Sequence, residues 1–435
     1  VLAVSRNAAG EAVDIHRGTD RSLPLESFIH AQIDRISDPA QLAALEAGLN
    51  AVLKAIRATV SDEPSMRAEL AGLQAELARR PGCEEESAFL GWLGEGNFLL
   101  MGFCDYDLTE RDGQDALRII RESGLGILRD QGDKQFSESF SGLPESMKQR
   151  AREPQPLVLN KSQSLSRIHR SAHLDFIAVK KFDAAGQVVG ERRLLGLYTA
   201  RAYHASPKDI PILRQKIAEV VRLCDFVEGG YKAKTLNFVL ETYPRDELFE
   251  IPVEALYDTA LGLVNLQERP RVRLFARTDI FHRYVSCLVF LPRDSFNTEL
   301  RVKVEQLLLK AFNGSACEFS VAVADANLAR VHYIVTTQSA TLPAYDADAI
   351  EADVARLARG WTDELRQQLV EAHGEEGGNH LFSQYQAAFP VAYRDEFSPR
   401  AAAPDVRKLE TLTEAEPLAV KLYRPLSRSR GAASW

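Results

Sequence analysis

His169 and His173, in HRSAH, stand four residues apart, a spacing at which two imidazoles on a helix can hold a metal. The residues that follow, LDFIAVKKF, alternate as a strand does, so the pair does not share a helical face, and no third ligand is evident. A polar loop entering a strand fits better, and no metal site is expected. Arg167, Arg170, Lys180 and Lys181 form a basic cluster in a chain of formal charge −8. They could hold an anion, but pairing with Asp175, Asp183 or Glu191 is the simpler account. Arg271, Arg273 and Arg277 recur around Phe275 in RVRLFAR. Arginines so placed could grip a carboxylate-bearing effector in bidentate fashion. Cross-strand or inter-subunit pairing with carboxylates such as Glu299, in a patch rich in arginine and aromatics, is the preferred expectation. Asp246 and Glu247, in PRDELF, are paired acids, but adjacent side chains point apart, so capping or salt bridging is expected rather than acid–base work.

Cofactor fingerprints are sparse. Gly124-Leu-Gly126 lacks the third glycine and the downstream acid of a dinucleotide-binding turn. No GxxxxGK[ST] loop, HExxH helix or GxSxG elbow occurs. At 435 residues, 45% hydrophobic and 26% charged, the chain fits two to four globular domains. Its negative charge argues against a dedicated nucleic-acid binder, and no apolar run is long enough to span a bilayer. Cys83, Cys104, Cys224, Cys287 and Cys317 are scattered and odd in number, which fits a reducing cytoplasm. The opening VLAVSRNAAG has no basic n-region and no methionine, which suggests an excised piece rather than a signal peptide.

The positioning elements follow from periodicity. A hairpin is predicted around Asn7–Gly10, a strand over Ser27–Arg35 and a helix from Pro39 to Ile56, with a second helix over Met66–Arg79 after Pro64. About five strands are predicted between Phe98 and Tyr198, the last two joined by Asp183-Ala-Ala-Gly186. Helices over 206–227 and 231–240 lead into the central stretch. There Glu247–Ile251 reads as a strand and Leu256, Ala260, Leu263 and Val264 as a helix. Arg271–Arg277 and Tyr284–Leu291 read as strands. Leu300, Val304, Leu307, Leu308 and Ala311 mark a second helix, and Cys317–Val323 and Arg330–Thr336 closing strands. That order is β-α-β-β-α-β, the split ferredoxin-like arrangement, with one sheet face left for a partner. Amphipathic helices over 346–372 and 380–388 flank a charged, glycine-containing hinge at 371–379, and Pro417–Tyr423 alternates as a strand.

ETYPRDELF, LQERPRVRLF and VSCLVFLPRDSFNTELR, preceded by WLGEGNFLLMGFCDYDL, GLGILR and ERRLLGLYTARAY, resemble in order and spacing the large bacterial NAD-specific glutamate dehydrogenases. The resemblance covers most of the chain. It implies an α+β multidomain region: the end of a first ACT-like domain (1–60), a helical connector (61–85), a PAS-like sheet domain (86–206) and a second connector (207–243). A second ACT-like domain (244–340), a helical linker (341–416) and the first strand of a third ACT-like domain (417–435) follow. It also implies a homo-oligomer, a tetramer in that family, joined to its own C-terminal dehydrogenase domain, with NAD as cofactor of the parent enzyme and none bound here. An amino acid or other small-molecule effector is possible on this resemblance. Reductive amination needs a nicotinamide pocket and a lysine of depressed pKa, and neither is recognisable, so the region reads as non-catalytic by itself. The family's effector-binding ACT domains carry a glycine after the first strand. Here Pro252-Val-Glu stands in that loop, which favours an interface-forming version. A free-standing sensor with ACT and PAS modules is the alternative.

Overall fold

Asn7 closes the first hairpin: its side-chain oxygen accepts from the backbone N–H of Ala9 and of Glu11 at 3.0 and 2.9 Å. The computed structural model describes residues 2–9, 11–16, 25–26, 28–142, 148–267, 271–322, 328–337, 343–413 and 417–420. Val1–Ala58 and Thr59–Trp435 are two compact units. In the first, β1 (Leu2–Arg6), β2 (Ala12–His16) and β3 (Leu25–Glu26) form a sheet of order β2-β1-β3. The strand expected over 27–35 is not found: residues 28–35 have no regular structure, and Ser27 lies outside the described residues. Asp38 caps helix α1 (Pro39–Ala78) by accepting from Ala40 N–H at 2.9 Å. The two helices expected here are one, and Pro64 lies inside it. Met66, Leu70, Leu73 and Leu77 are each at most 3% exposed, so burial carries the helix past the bond that proline removes. Leu42, Leu45, Leu49 and Leu53 stay exposed.

The next sheet is antiparallel and five-stranded: β4 (Phe98–Arg111), β5 (Gln114–Gly126), β6 (Leu157–Leu165), β7 (His173–Phe182) and β8 (Val188–Tyr198), in the order β5-β4-β8-β7-β6. One side buries Leu100, Ile177 and Leu194 in one core with Leu70 of α1 and Phe89 of α2 (Glu84–Trp92). The other side buries Cys104, Tyr106, Leu117 and Ile119 with Phe140. The GLG stretch ends β5. Gly126 has φ +60°, and a Cβ there would lie 2.1 Å from the Met101 carbonyl oxygen. Its N–H donates to Asp62 Oδ2 of α1 at 2.8 Å, so this glycine serves strand closure.

Helices α3 (Leu213–Cys224), α4 (Tyr231–Thr242), α5 (Arg245–Glu250) and α6 (Val253–Gln267) follow. The strand expected at 247–251 is therefore a helix. Pro244 opens it, Asp246 and Glu247 lie in its first turn, and Lys216 Nζ donates to the carbonyls of Leu248 and Ile251 at its end, at 2.8 and 2.7 Å. Six residues are too few for periodicity to separate the two states.

The second sheet holds β9 (Arg273–Thr278), β10 (Tyr284–Pro292), β11 (Gly314–Ala322) and β12 (Leu328–Thr337) in the antiparallel order β11-β12-β10-β9. With α7 (Thr298–Ala311) and α8 (Ala347–Leu357) the chain order is β-β-α-β-β-α, which corrects the expected β-α-β-β-α-β. The sheet layout is that of the split arrangement, but the strand expected ahead of α6 is supplied by β12 from the C-terminal side, so the fold is its circular permutation. Helices α7 and α8 bury Val304, Leu308, Ile350 and Val354 on one face. The opposite face is not free for a partner: Phe275, Leu288 and Phe290 pack in one core with Val239, Leu240, Ala260 and Leu263 of α4 and α6. In α9 (Trp361–Tyr385) the chain reverses at Gly374 (φ 76°), inside the expected hinge. Arg366 Nε then donates to Asn379 Oδ1 at 2.8 Å, a pair that a straight helix would hold roughly 20 Å apart. Helix α10 (Pro399–Leu409) closes on this hairpin through Val406. Residues 417–420 carry no strand, and 421–435 of the expected third ACT-like strand lie outside the described residues.

Val304 is fully buried and Leu307 only partly. We expect Val304→Asp to cost about 3–5 kcal/mol in urea denaturation and Leu307→Asp clearly less. Equal losses would mean the α7 face is misassigned.

Candidate functional site

Helix α5 is where the two larger sheets meet. Asp246 accepts from Tyr203 Oη at 2.9 Å and lies 3.2 Å from Lys161 Nζ of β6, and Lys161 also bonds Asp175 of β7. One residue on, Glu247 Oε2 accepts from Arg277 Nη2 of β9 at 2.8 Å, and Glu250 Oε2 accepts from the same nitrogen at 3.2 Å. Tyr284 of β10 donates to Glu250 and stands 3.4 Å from Asn160 Oδ1 of β6. Asn160 donates in turn to Asp279 Oδ1 at 2.9 Å. The Phe249 ring stacks on Tyr198 at 4.5 Å and 7°. The adjacent acids thus point apart, as their spacing predicts, each into a salt bridge with a different sheet.

Burial dominates the electrostatics. It would raise the Asp246 carboxyl, but Lys161 and the Tyr203 hydroxyl outweigh it and hold that carboxyl down. Burial pushes Glu250 up to about 7 from 4.5, opposed by Arg277 and helped by Glu247, which shares that arginine. Burial, with Arg277 nearby, brings the Lys216 ammonium down to about 8.

The structure separates the predicted site residues. Arg271 precedes β9 and is exposed. Arg273 bonds Glu351 Oε1 of α8 at 2.9 Å and lies 5.6 Å from the Phe275 ring. Phe275 lies under α6, against Gly262. Arg277 faces α5. The partners are Glu351, Glu247 and Glu250, where Glu299 was the expected example; Glu299 pairs with Lys303. Arg167 is exposed on a loop, and Arg170 Nη2 donates to the Tyr198 carbonyl at 3.1 Å. Lys181 turns outward to Asp107 at 2.9 Å, whereas Lys180 turns inward to Glu191 at 2.9 Å. His173 begins β7 with Nδ1 3.0 Å from the Ser162 carbonyl, and His169 sits exposed in the preceding loop.

Sequence reasoning missed a cavity of about 820 Å³ on the Tyr106 face of the five-stranded sheet. Tyr106, Phe176, Lys180, Glu191 and Arg193 line it from the sheet, and Lys216, Glu250 and Arg283 from α3, α5 and the β9–β10 turn. The alternation of KKF and ERR could have signalled it: Lys180 pairs with Glu191 in register, and Arg193 lies on the same face.

These features define a mixed α/β region with an ACT-like sheet domain beside a five-stranded sheet and helical motifs. The family models for the ACT2 domain, helical motif 1 and helical motif 2 of glutamate dehydrogenase match residues 273–362, 210–269 and 368–412. The chain is 38% identical over 433 residues to an NAD-specific glutamate dehydrogenase of Halomonas elongata, covering 98% of this chain and 27% of that protein. It is 33% identical over 436 residues to the Pseudomonas aeruginosa protein of that name, with the same coverages. The Mycobacterium tuberculosis protein of that name is 28% identical over 439 residues, covering 95% and 26%. The chain belongs to the large NAD-specific glutamate dehydrogenase family and spans about a quarter of the length of these relatives.

Between 4.5 and about 7 the folded chain keeps the Glu250 proton that the unfolded chain has released, so stability falls as pH rises through that window. Lys216 has the opposite sign. Above about 8 the unfolded chain holds the extra proton, so stability rises with pH toward 10.5. Glu250→Gln should abolish a loss of about 2 kcal/mol between pH 5 and 7.5. Urea midpoints of both proteins at the two pH values check it, and parallel losses would clear Glu250 of the effect.

Proposed function

We propose that this chain is the N-terminal regulatory and assembly region of a large NAD-specific glutamate dehydrogenase, cytoplasmic and homo-oligomeric. The parent reaction takes L-glutamate, NAD and water to 2-oxoglutarate, ammonia and NADH. Nicotinamide binding and the catalytic lysine belong to the dehydrogenase domain that follows in the parent protein. The observation that carries the regulatory reading is α5, whose successive acids bind one sheet domain through Lys161 and the other through Arg277. Displacing either sheet breaks an ion pair, a buried one at Arg277 and a partly buried one at Lys161, so the position of one constrains the other. The five-stranded antiparallel sheet with a cavity on one face supports the PAS-like reading. The exposed leucine stripe of α1 supports an assembly role, because contiguous exposed apolar surface marks contact sites. A free-standing sensor is the second reading, favoured by the same cavity, and a reading frame without a dehydrogenase domain would support it.

Two measurements test the leading reading. The chain alone should form no NADH from glutamate at saturating NAD, and turnover of order ~10 per second would sink it. In the full-length enzyme, Arg277→Met should change kcat, KM or sedimentation, because it leaves Glu247 buried without its cation. Unchanged kinetics and assembly would remove α5 from any regulatory role.

A further inference from the structure

We propose that the cavity on the Tyr106 face of the five-stranded sheet binds a small organic carboxylate, with Lys180 and Arg193 as its anchors. Antiparallel register sets the site. Lys180 lies opposite Glu191, Ala178 opposite Arg193 and Tyr106 opposite Glu191 on the other side, so these side chains share one face. Lys180, Glu191 and Arg193 are 4%, 4% and 7% exposed. Lys180 Nζ donates to Glu191 Oε2 at 2.9 Å. Arg193 Nε donates to Glu191 Oε1 at 2.6 Å, and Nη1 to Ser137 Oγ at 2.6 Å. Two cations thus share one carboxylate. Burial would raise Glu191, but Arg193 and Lys180 outweigh it and keep it ionised, so the cluster carries one positive charge in excess.

A buried charge without a counter-charge is costly, and an anion entering the cavity supplies one. The Arg193 guanidinium lies 4.2 Å from the Tyr106 ring centroid and 5.2 Å from that of Phe176, which fixes its plane. Lys180 has three donor hydrogens, and Glu191 takes one. Across the cavity, Arg283 donates from Nε to Asp279 at 2.9 Å, while its Nη2 is buried with no protein partner among the described residues. Glu138 and Glu153 also line the cavity but are exposed, so water screens them, and Glu138 is paired with Lys134; Glu86 and Glu250 line it too, Glu250 held by Arg277. The class of ligand follows from charge and wall. One excess charge suits a monocarboxylate, whereas a phosphate dianion would overshoot it. Ile119, Phe140 and Leu195 offer an apolar surface that an inorganic ion cannot use. The volume of about 820 Å³ suits a small organic molecule. This inference deepens the regulatory reading by giving it a ligand class, but binding itself depends only on the cavity.

The test is calorimetric titration of the 435-residue chain with butyrate and benzoate, with butyramide and benzamide as uncharged isosteres and inorganic phosphate as a further anion. At least one acid should bind saturably, at least about tenfold more tightly than its amide and than phosphate. Lys180→Met leaves the Glu191–Arg193 pair balanced and should weaken the acid about tenfold to a hundredfold, while Lys180→Arg should retain it. Should Lys180→Met fail to fold, hydrogen exchange on the wild-type chain reads the same site, and the acid should slow exchange across residues 174–196. Absence of saturable binding, equal binding of the amides, tighter binding of phosphate, undiminished binding by a folded Lys180→Met, or protection only outside 174–196 would each overturn the proposal. Those outcomes would leave the α5 coupling standing, and wild-type kinetics in full-length Arg277→Met would leave carboxylate binding standing.

Discussion

The arrangement of the larger unit depends on one guanidinium. Arg277 leaves the edge strand β9 and meets two carboxylates, Glu247 and Glu250, on successive turns of a single short helix. A six-residue helix has no stability of its own, since nucleation outweighs so few hydrogen bonds. What holds α5 is external: Arg277 and Lys161 on its acids, Lys216 on its terminal carbonyls, and Leu248 and Phe249 in the apolar core. The helix in turn fixes where the sheets stand, because its side chains reach β6 on one side and β9 and β10 on the other. Ion pairs of this kind add little net stability against a well-packed apolar equivalent, yet breaking one member is costly. They therefore specify one docking of the two sheets more than they strengthen it.

That distinction shows where coupling can arise. The Phe275 face of the second sheet, which the split-fold expectation leaves open, is covered by α4 and α6 of the same chain. Movement between the sheets is thus constrained by an apolar contact as well as by α5. The cavity shares Glu250 and Lys216 with this junction, so a molecule held there touches the groups that position α5. A binding event and a domain displacement would act on the same side chains without a long intervening path.

Much of this was legible. The strands at 98–108, 176–182, 188–198 and 284–291, the helices carrying Leu256–Val264 and Leu300–Ala311, and the divergence of Asp246 from Glu247 all follow from period, proline position and adjacent spacing. The family was legible from long motifs in series. What failed did so for physical reasons. PRDELFE has two apolar residues in seven, and its state is decided by Lys216 and Arg277, far away in sequence. The permutation could not be read because a strand order records only direction and neighbours, and β12 supplies the position assigned to 247–251. With that strand removed, the missing glycine after Ile251 loses its bearing on effector binding, since the loop is not the one in question. The arginine row misled because Arg273 and Arg277 look alike in sequence, while one binds at the sheet edge and the other inside.

Charge counting at the two buried clusters explains why they behave differently. Around α5, Lys161, Lys216, Arg277 and Arg283 face Asp175, Asp246, Glu247, Asp279 and Glu250, one carboxylate more than there are cations. A surplus carboxylate can be relieved by taking up a proton, and Glu250, pushed up to about 7, is the group that does so. On the sheet wall of the cavity the surplus is a cation, and relief by proton loss is closed to Arg193, because a guanidinium does not deprotonate in a protein. An anion from outside the cluster would balance it, and the cavity gives that anion room to enter. The same excess of one charge is thus settled internally at the junction and by an incoming anion at the wall, which puts pH sensitivity at α5 and ligand sensitivity at β7 and β8.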